Sequence, residues 1–173
     1  MIKKTLIAAA VLLTAAPALA QAPAAAPPAP PPPRARGPAL NLAVEMAMAA
    51  IANCASTNYN TTALVTDSAG VTVAMLSSEK AAARTQMIAG TKIAIVMKYK
   101  VPSLDIVERV KTDAALDAAI KADPAIGAAR GGAIPIMVGG TMIGAIAVSG
   151  APGGDKDAVC SQAGIDKVQS RLM

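Results

Sequence analysis

One absence limits the chemistry open to this chain: its 173 residues include no histidine. Ser-His-Asp and Cys-His catalysis, His-ligated zinc and His-ligated haem are therefore excluded. Lysine, arginine, carboxylates, thiols, thioethers, phenols and backbone groups remain. Lys92 stands in a largely apolar helical stretch, where its ammonium can pair with a carboxylate. The plainer reading is a stem packed on apolar surface with its head in solvent. Cys54 and Cys160 are the only cysteines. A count of two suggests one disulfide in an oxidising compartment, with two separate buried thiols as the alternative. A catalytic cysteine would lack a base. Tyr59 and Tyr99 are the only aromatic residues. With Met75, Met87, Met97, Met137 and Met142 they are the side chains left to a haem iron, although each methionine suits core filling better. Gly131-Gly132 and the stretch from Gly150 to Gly154 have the composition of backbone anion nests, and equally of plain turns. Asp155 and Asp157 read as acids complementing a helix dipole. No carboxylate pair is placed for acid–base work.

These residues need a frame, and the apolar periodicity outlines one. Asn41 is a candidate cap for a helix through Val44, Met48 and Ile51, with Asn58 as its left-handed stop. Thr61 to Thr66 and Val71 to Leu76, separated by Asp67-Ser68-Ala69-Gly70, read as a β-hairpin. Glu79 to about Lys98 reads as a long helix with Met87, Ile88, Lys92, Ile95 and Val96 on one buried side. Ser103 opens a short helix through Val110, and Ala114 to Lys121 forms another, stopped by Pro124. Ile134 to Val138 and Met142 to Ser149 are strands joined by Gly139-Gly140, a strong hairpin signal. Pro135 marks an edge strand. A last helix starts at Asp155. Two hairpins separated by helices predict an α+β domain on a central antiparallel sheet.

Two segments precede that domain. Residues 1–20 have a basic start, a short apolar run and an Ala18-Leu19-Ala20 cleavage motif, so they read as a signal peptide. The run is shorter than the ~20 apolar residues a spanning helix needs, so no membrane span is expected once it is removed. Residues 21–38 are an Ala/Pro-rich spacer, with Pro30-Pro31-Pro32-Pro33 at its centre. The domain is expected at 39–173. The expected location is periplasmic or secreted. The formal charge is +5. Losing Lys3 and Lys4 with the leader leaves about +3 on the mature chain. That charge, with two tyrosines for stacking, predicts no nucleic-acid partner.

The strands carry a recognisable pattern: Gly131-Gly132-Ala133-Ile134-Pro135-Ile136, then Gly139-Gly140, then Ile143 to Gly150. Gly153-Gly154-Asp155-Lys156-Asp157 and Cys160 to Gly164 continue it. Asp67-x-x-Gly70 matches in the first hairpin, and Thr85, Ala89 and Lys92 match on the long helix. On these residues the chain resembles the GlcG/HbpS-like family, which includes the C-terminal domain of PduO-type proteins. The likeness covers nearly all of Leu40 to Met173. It departs at Ser77, where relatives often carry Arg, at Arg84, where many exported relatives carry His, and at Ala147, a family glycine. A threonine is also missing from the run Lys92 to Val96.

The resemblance implies a sheet of about five antiparallel strands flanked by helices, and a homo-oligomer. It implies that the first and last helices can pack side by side, which would bring Cys54 and Cys160 together. It also implies a small-molecule ligand, with haem or a related tetrapyrrole as the candidate cofactor, bound or sensed near Lys92, Thr85 and Tyr99. A ligand-free structural domain and a weak haem-degrading enzyme are the alternatives. The residues themselves assemble no catalytic or metal-binding set.

Overall fold

A computed structural model describes residues 35–173. The expected leader and residues 21–34 of the spacer lie outside the described residues. The elements run α1 (Leu40–Ala55), β1 (Thr62–Asp67), β2 (Thr72–Ser77), α2 (Arg84–Tyr99), α3 (Ser103–Val110), α4 (Ala114–Ala122), β3 (Ala133–Val138), β4 (Thr141–Ser149) and α5 (Gly154–Val168), with a 3₁₀ turn at Gln169–Arg171.

Both expected hairpins form. Asp67 closes the first turn by accepting from Ala69 N and Val71 N at 2.9 Å each, the self-bonding that favours Asp in turns. Gly139 and Gly140 close the second with φ of 54° and 77°, as a primed hairpin turn requires. The hairpins join through β1 and β4, giving one antiparallel sheet in the order β2-β1-β4-β3. Pro135 lies on the edge strand β3. The described sheet has four strands, not the expected five. The two hairpins account for all four. Residues 35–39 do approach the first turn, where Ser68 N donates to Arg36 O at 2.7 Å, but these five residues form no strand.

Strand alternation sends side chains to two helical layers. Val65, Ile146 and Val148 point to the side covered by α1 and α5. Leu64, Ala145 and Ala147 point to α2. Small side chains on that second face, Ala133 and Ala89 among them, let α2 lie close to the strands. Beyond α2, Ile95, Ile106, Ile120 and Ile126 build a third cluster that seats α3 and α4.

Several local expectations change. α1 begins one residue before Asn41, and no side chain caps it. It buries Ala43, Met46, Ala47, Ala50 and Cys54, leaving Met48 60% exposed. Alanine permits the closer approach, so the alanine-rich face turns inward. α2 starts at Arg84 rather than near Glu79, and Met87 on it points outward at 67% exposure. Ser103 is the first residue of α3, and its Oγ accepts from Ala133 N at 2.9 Å.

Candidate functional site

A cleft of about 830 Å³ opens at the end of the sheet where β4 passes into α5. The start of α2 forms one wall, α3 another, and the β4–α5 loop a third. Tyr59 closes it from the α1–β1 loop. Lys92 lies on its floor, but the head group is not in solvent. The ammonium donates to Asp157 Oδ2 at 2.6 Å and to Val148 O at 2.8 Å, and both partners of the pair are about 4% exposed. Asp157 accepts again, at Oδ1, from Ala151 N at 3.0 Å. One carboxylate therefore ties α2 to the β4–α5 loop.

Burial pushes the Lys92 ammonium below the usual lysine value and the Asp157 carboxyl above the usual carboxylate value. Their mutual attraction opposes both shifts without cancelling them. Arg130 adds to the lowering at Lys92. Gly132 makes room for the pair. Its φ is +119°, and a Cβ there would lie 2.7 Å from Lys92 Nζ and 2.7 Å from Asp157 Cβ. Its carbonyl accepts from Ser161 Oγ at 2.7 Å.

Thr85 is buried in the same wall. Its hydroxyl donates to Ala82 O at 2.6 Å, so the 2.7 Å contact with Thr62 Oγ1 must use the Thr62 proton. By the same counting Ser77 donates to Thr62 at 2.7 Å. This chain of hydroxyls fixes the start of α2 against β1 and β2. Tyr99 does not join Thr85 and Lys92. Seven residues beyond Lys92 it is on the same helical face but about 10 Å further along the axis, where it packs with the α3–α4 cluster.

The sequence reading missed Asp157 as the partner of Lys92. The signal was present: Asp157, Cys160, Ser161, Gly164, Ile165 and Val168 share the buried face of α5. A lysine on one buried face requires a counter-charge on another. The rim was also missed. Lys80, Arg84 and Arg130 line the cleft, and among the described residues none of them enters an ion pair. Glu108, an acid of the lining, is bonded to Lys111. Asp155 is a second acid of the lining and enters no ion pair among the described residues, so once internal pairs are set aside three cations face one carboxylate and the cleft is net cationic. Ile88, Leu104 and Val107 give it an apolar side. The described residues contain no group of acids and cysteines able to hold a metal ion.

The family model described as haem degrading protein HbpS-like matches residues 39–166. The chain belongs to the HbpS-like family. Solved structures agree on the fold. A double mutant of Streptomyces reticuli HbpS is 25% identical, with a TM-score of 0.69, over 83% of this chain and 97% of that one. Klebsiella pneumoniae protein ORFY is 22% identical with a TM-score of 0.72, over 82% and 96%. A PduOC–haem complex is 17% identical with a TM-score of 0.69, over 76% and 94%. No curated protein matches the sequence. For this HbpS-like chain, the disulfide expected from its two cysteines is present. Cys54 and Cys160 are bonded with Cα atoms 5.6 Å apart, joining α1 to α5.

Proposed function

We propose that the chain is an exported small-molecule-binding protein that holds haem or a related tetrapyrrole in this cleft, working as a homo-oligomer in the periplasm or outside the cell. The observation that carries the reading is the combination of an apolar wall with three cations that enter no ion pair among the described residues, against the single carboxylate of Asp155, around about 830 Å³, a volume typical of ligand sites. Ile88, Leu104 and Val107 offer contact for a macrocycle, and Lys80, Arg84 and Arg130 offer partners for its acid side chains. Family membership supports the same class of ligand. The macrocycle and its acids fit the residues present; haem, when bound, would add iron redox chemistry.

Lys92 and Thr85 act from the floor. Lys92 holds the β4–α5 loop through Asp157, and Thr85 holds the first turn of α2. Tyr99, outside the cleft, has no part in the reading. Titrating the mature protein with haemin tests it. The expected result is a saturable Soret change at micromolar protein, and its absence would remove tetrapyrroles as ligands. A ligand-free structural role draws on the ammonium of Lys92 being already engaged by Asp157 and Val148. It is the reading left standing by a flat titration.

A further inference from the structure

We infer that the cleft recognises a tetrapyrrole by its carboxylates and leaves the metal position uncoordinated, so that metal-free and iron-loaded forms bind alike. The inference rests on the tetrapyrrole reading above and narrows it.

The donor set of the cleft is the first argument. Protein ligands to haem iron are His, Met, Cys thiolate or Tyr. The chain has no histidine. Its two cysteines are bonded to each other within the α1–α5 layer. No methionine lines the cleft. Tyr59 alone remains, and its ring is held at the edge of the cleft by other contacts. Its backbone N–H donates to Cys54 O at 3.0 Å and fixes the turn, its ring packs against the α1–α5 core, and Lys156 Nζ stands 5.8 Å from the ring centroid.

The cations are the second argument. Arg84 comes from the first turn of α2, Arg130 from the segment before β3, and Lys80 from the β2–α2 loop. Three separate segments thus present positive charge to one space. Guanidinium groups match carboxylates with two parallel bonds. Lys92 is not available for this task, because its ammonium is buried and paired with Asp157, with a second N–H on Val148 O. Arg130 disfavours the charge on Lys92, so an anion bound at Arg130 would relieve a repulsion that exists without ligand.

A titration series on the full mature protein tests the inference, using protoporphyrin IX, haemin, coproporphyrin with four carboxylates, and a tetracationic porphyrin. Protoporphyrin IX and haemin are expected to bind within about threefold of each other. Coproporphyrin should bind about tenfold more tightly, and the tetracationic porphyrin should not bind, as charge complementarity dictates. Arg84→Ala/Arg130→Ala should weaken all three carboxylate ligands at least about tenfold. Both arginines are exposed, so the variant should keep its fold, which circular dichroism checks. Tyr59→Phe should leave the haemin and protoporphyrin IX affinities unchanged. Haemin binding about tenfold or more tighter than protoporphyrin IX, with that excess lost in Tyr59→Phe, would overturn the inference while leaving the tetrapyrrole reading intact. If no tetrapyrrole binds, both are overturned.

Discussion

Lys92 and Asp157 form an ion pair in a place where charge is expensive. Taking two ions out of water costs several kcal/mol each, and the pair repays it only through close geometry and extra hydrogen bonds. Here Val148 O and Ala151 N supply those bonds. Removing one partner should be worse than removing both. Lys92→Met is expected to lose about 3–5 kcal/mol in urea unfolding, because Asp157 is left buried without a counter-charge. Lys92→Met/Asp157→Leu should recover most of that loss; a double variant as unstable as the single one would contradict the account. The pH profile follows from the shift directions. Asp157 is raised above 3.8, so its contribution is full below that value and is lost as pH rises through the folded pKa. Lys92 is lowered from 10.5, so its contribution is present above that value and is lost as pH falls through the folded pKa. Native stability measured against the double variant should therefore pass through a minimum between the two windows. Urea midpoints of both proteins across pH check this. Gly132→Ala meets the same pair from the backbone side. The strained φ and the 2.7 Å approach to Lys92 Nζ should cost at least about 2 kcal/mol, more than ordinary surface changes do.

At the scale of elements, what the sequence disclosed depended on whether its cause was local. The hairpins were legible because Asp67-x-x-Gly70 and Gly139-Gly140 carry their turn chemistry within four residues. The helices were legible as helices, but their inward faces only in part: Lys92, Ile95 and Val96 are buried on α2 as expected, whereas Met87 is not. In α1 the apolar residues surround the axis, so the sequence pointed to Val44, Met48 and Ile51; only packing against α5 and the sheet selects the alanine side. The cleft was half legible. Thr85 and Lys92 came from the family pattern, whereas Asp157, 65 residues from Lys92, is brought to it only by the β3–β4 hairpin returning the chain. Arg84 and Arg130 line the same cleft from segments distant in sequence, so no local pattern announces them together. α4 shows a further local determinant, missed because the helix is short. Asp113 accepts from Leu116 N at 2.9 Å and is the only side-chain cap among the described α-helices. A nine-residue helix has little propagation energy to offset its nucleation. Asp113→Ala should therefore cost about 1 kcal/mol, read as a lower urea midpoint with unchanged slope, while Asp113→Asn should restore most of it.

For the whole molecule, the chain ends matter most. α1 opens the domain and α5 nearly closes it, yet the two helices share one core layer on the sheet. Between them lie both hairpins and the cleft. The Cys54–Cys160 bond closes a separation of 106 residues, so it ties together what the topology otherwise joins only by packing. Its reach extends to the site: Cys54 O accepts from Tyr59 N at 3.0 Å and Thr57 N at 3.1 Å, which sets the turn that carries Tyr59 to the cleft. Both cysteines are buried, so the bond is a structural element shielded from solvent thiols in the folded state. Its stabilising effect is expected in the unfolded ensemble, where cross-linking a loop of this length removes about 4–5 kcal/mol of chain entropy in the loop-closure model. Cys54→Ala/Cys160→Ala keeps the layer apolar and removes the link. That variant should unfold at lower urea, with a loss of several kcal/mol and a shallower slope for the cross-linked parent, whose unfolded chain exposes less surface. The native protein unfolded without reductant should show no free thiol to a thiol reagent, and two after reduction. If the alanine pair proves as stable as the native protein, the bond is not what holds the two ends together, and the α1–α5 packing must carry that load alone.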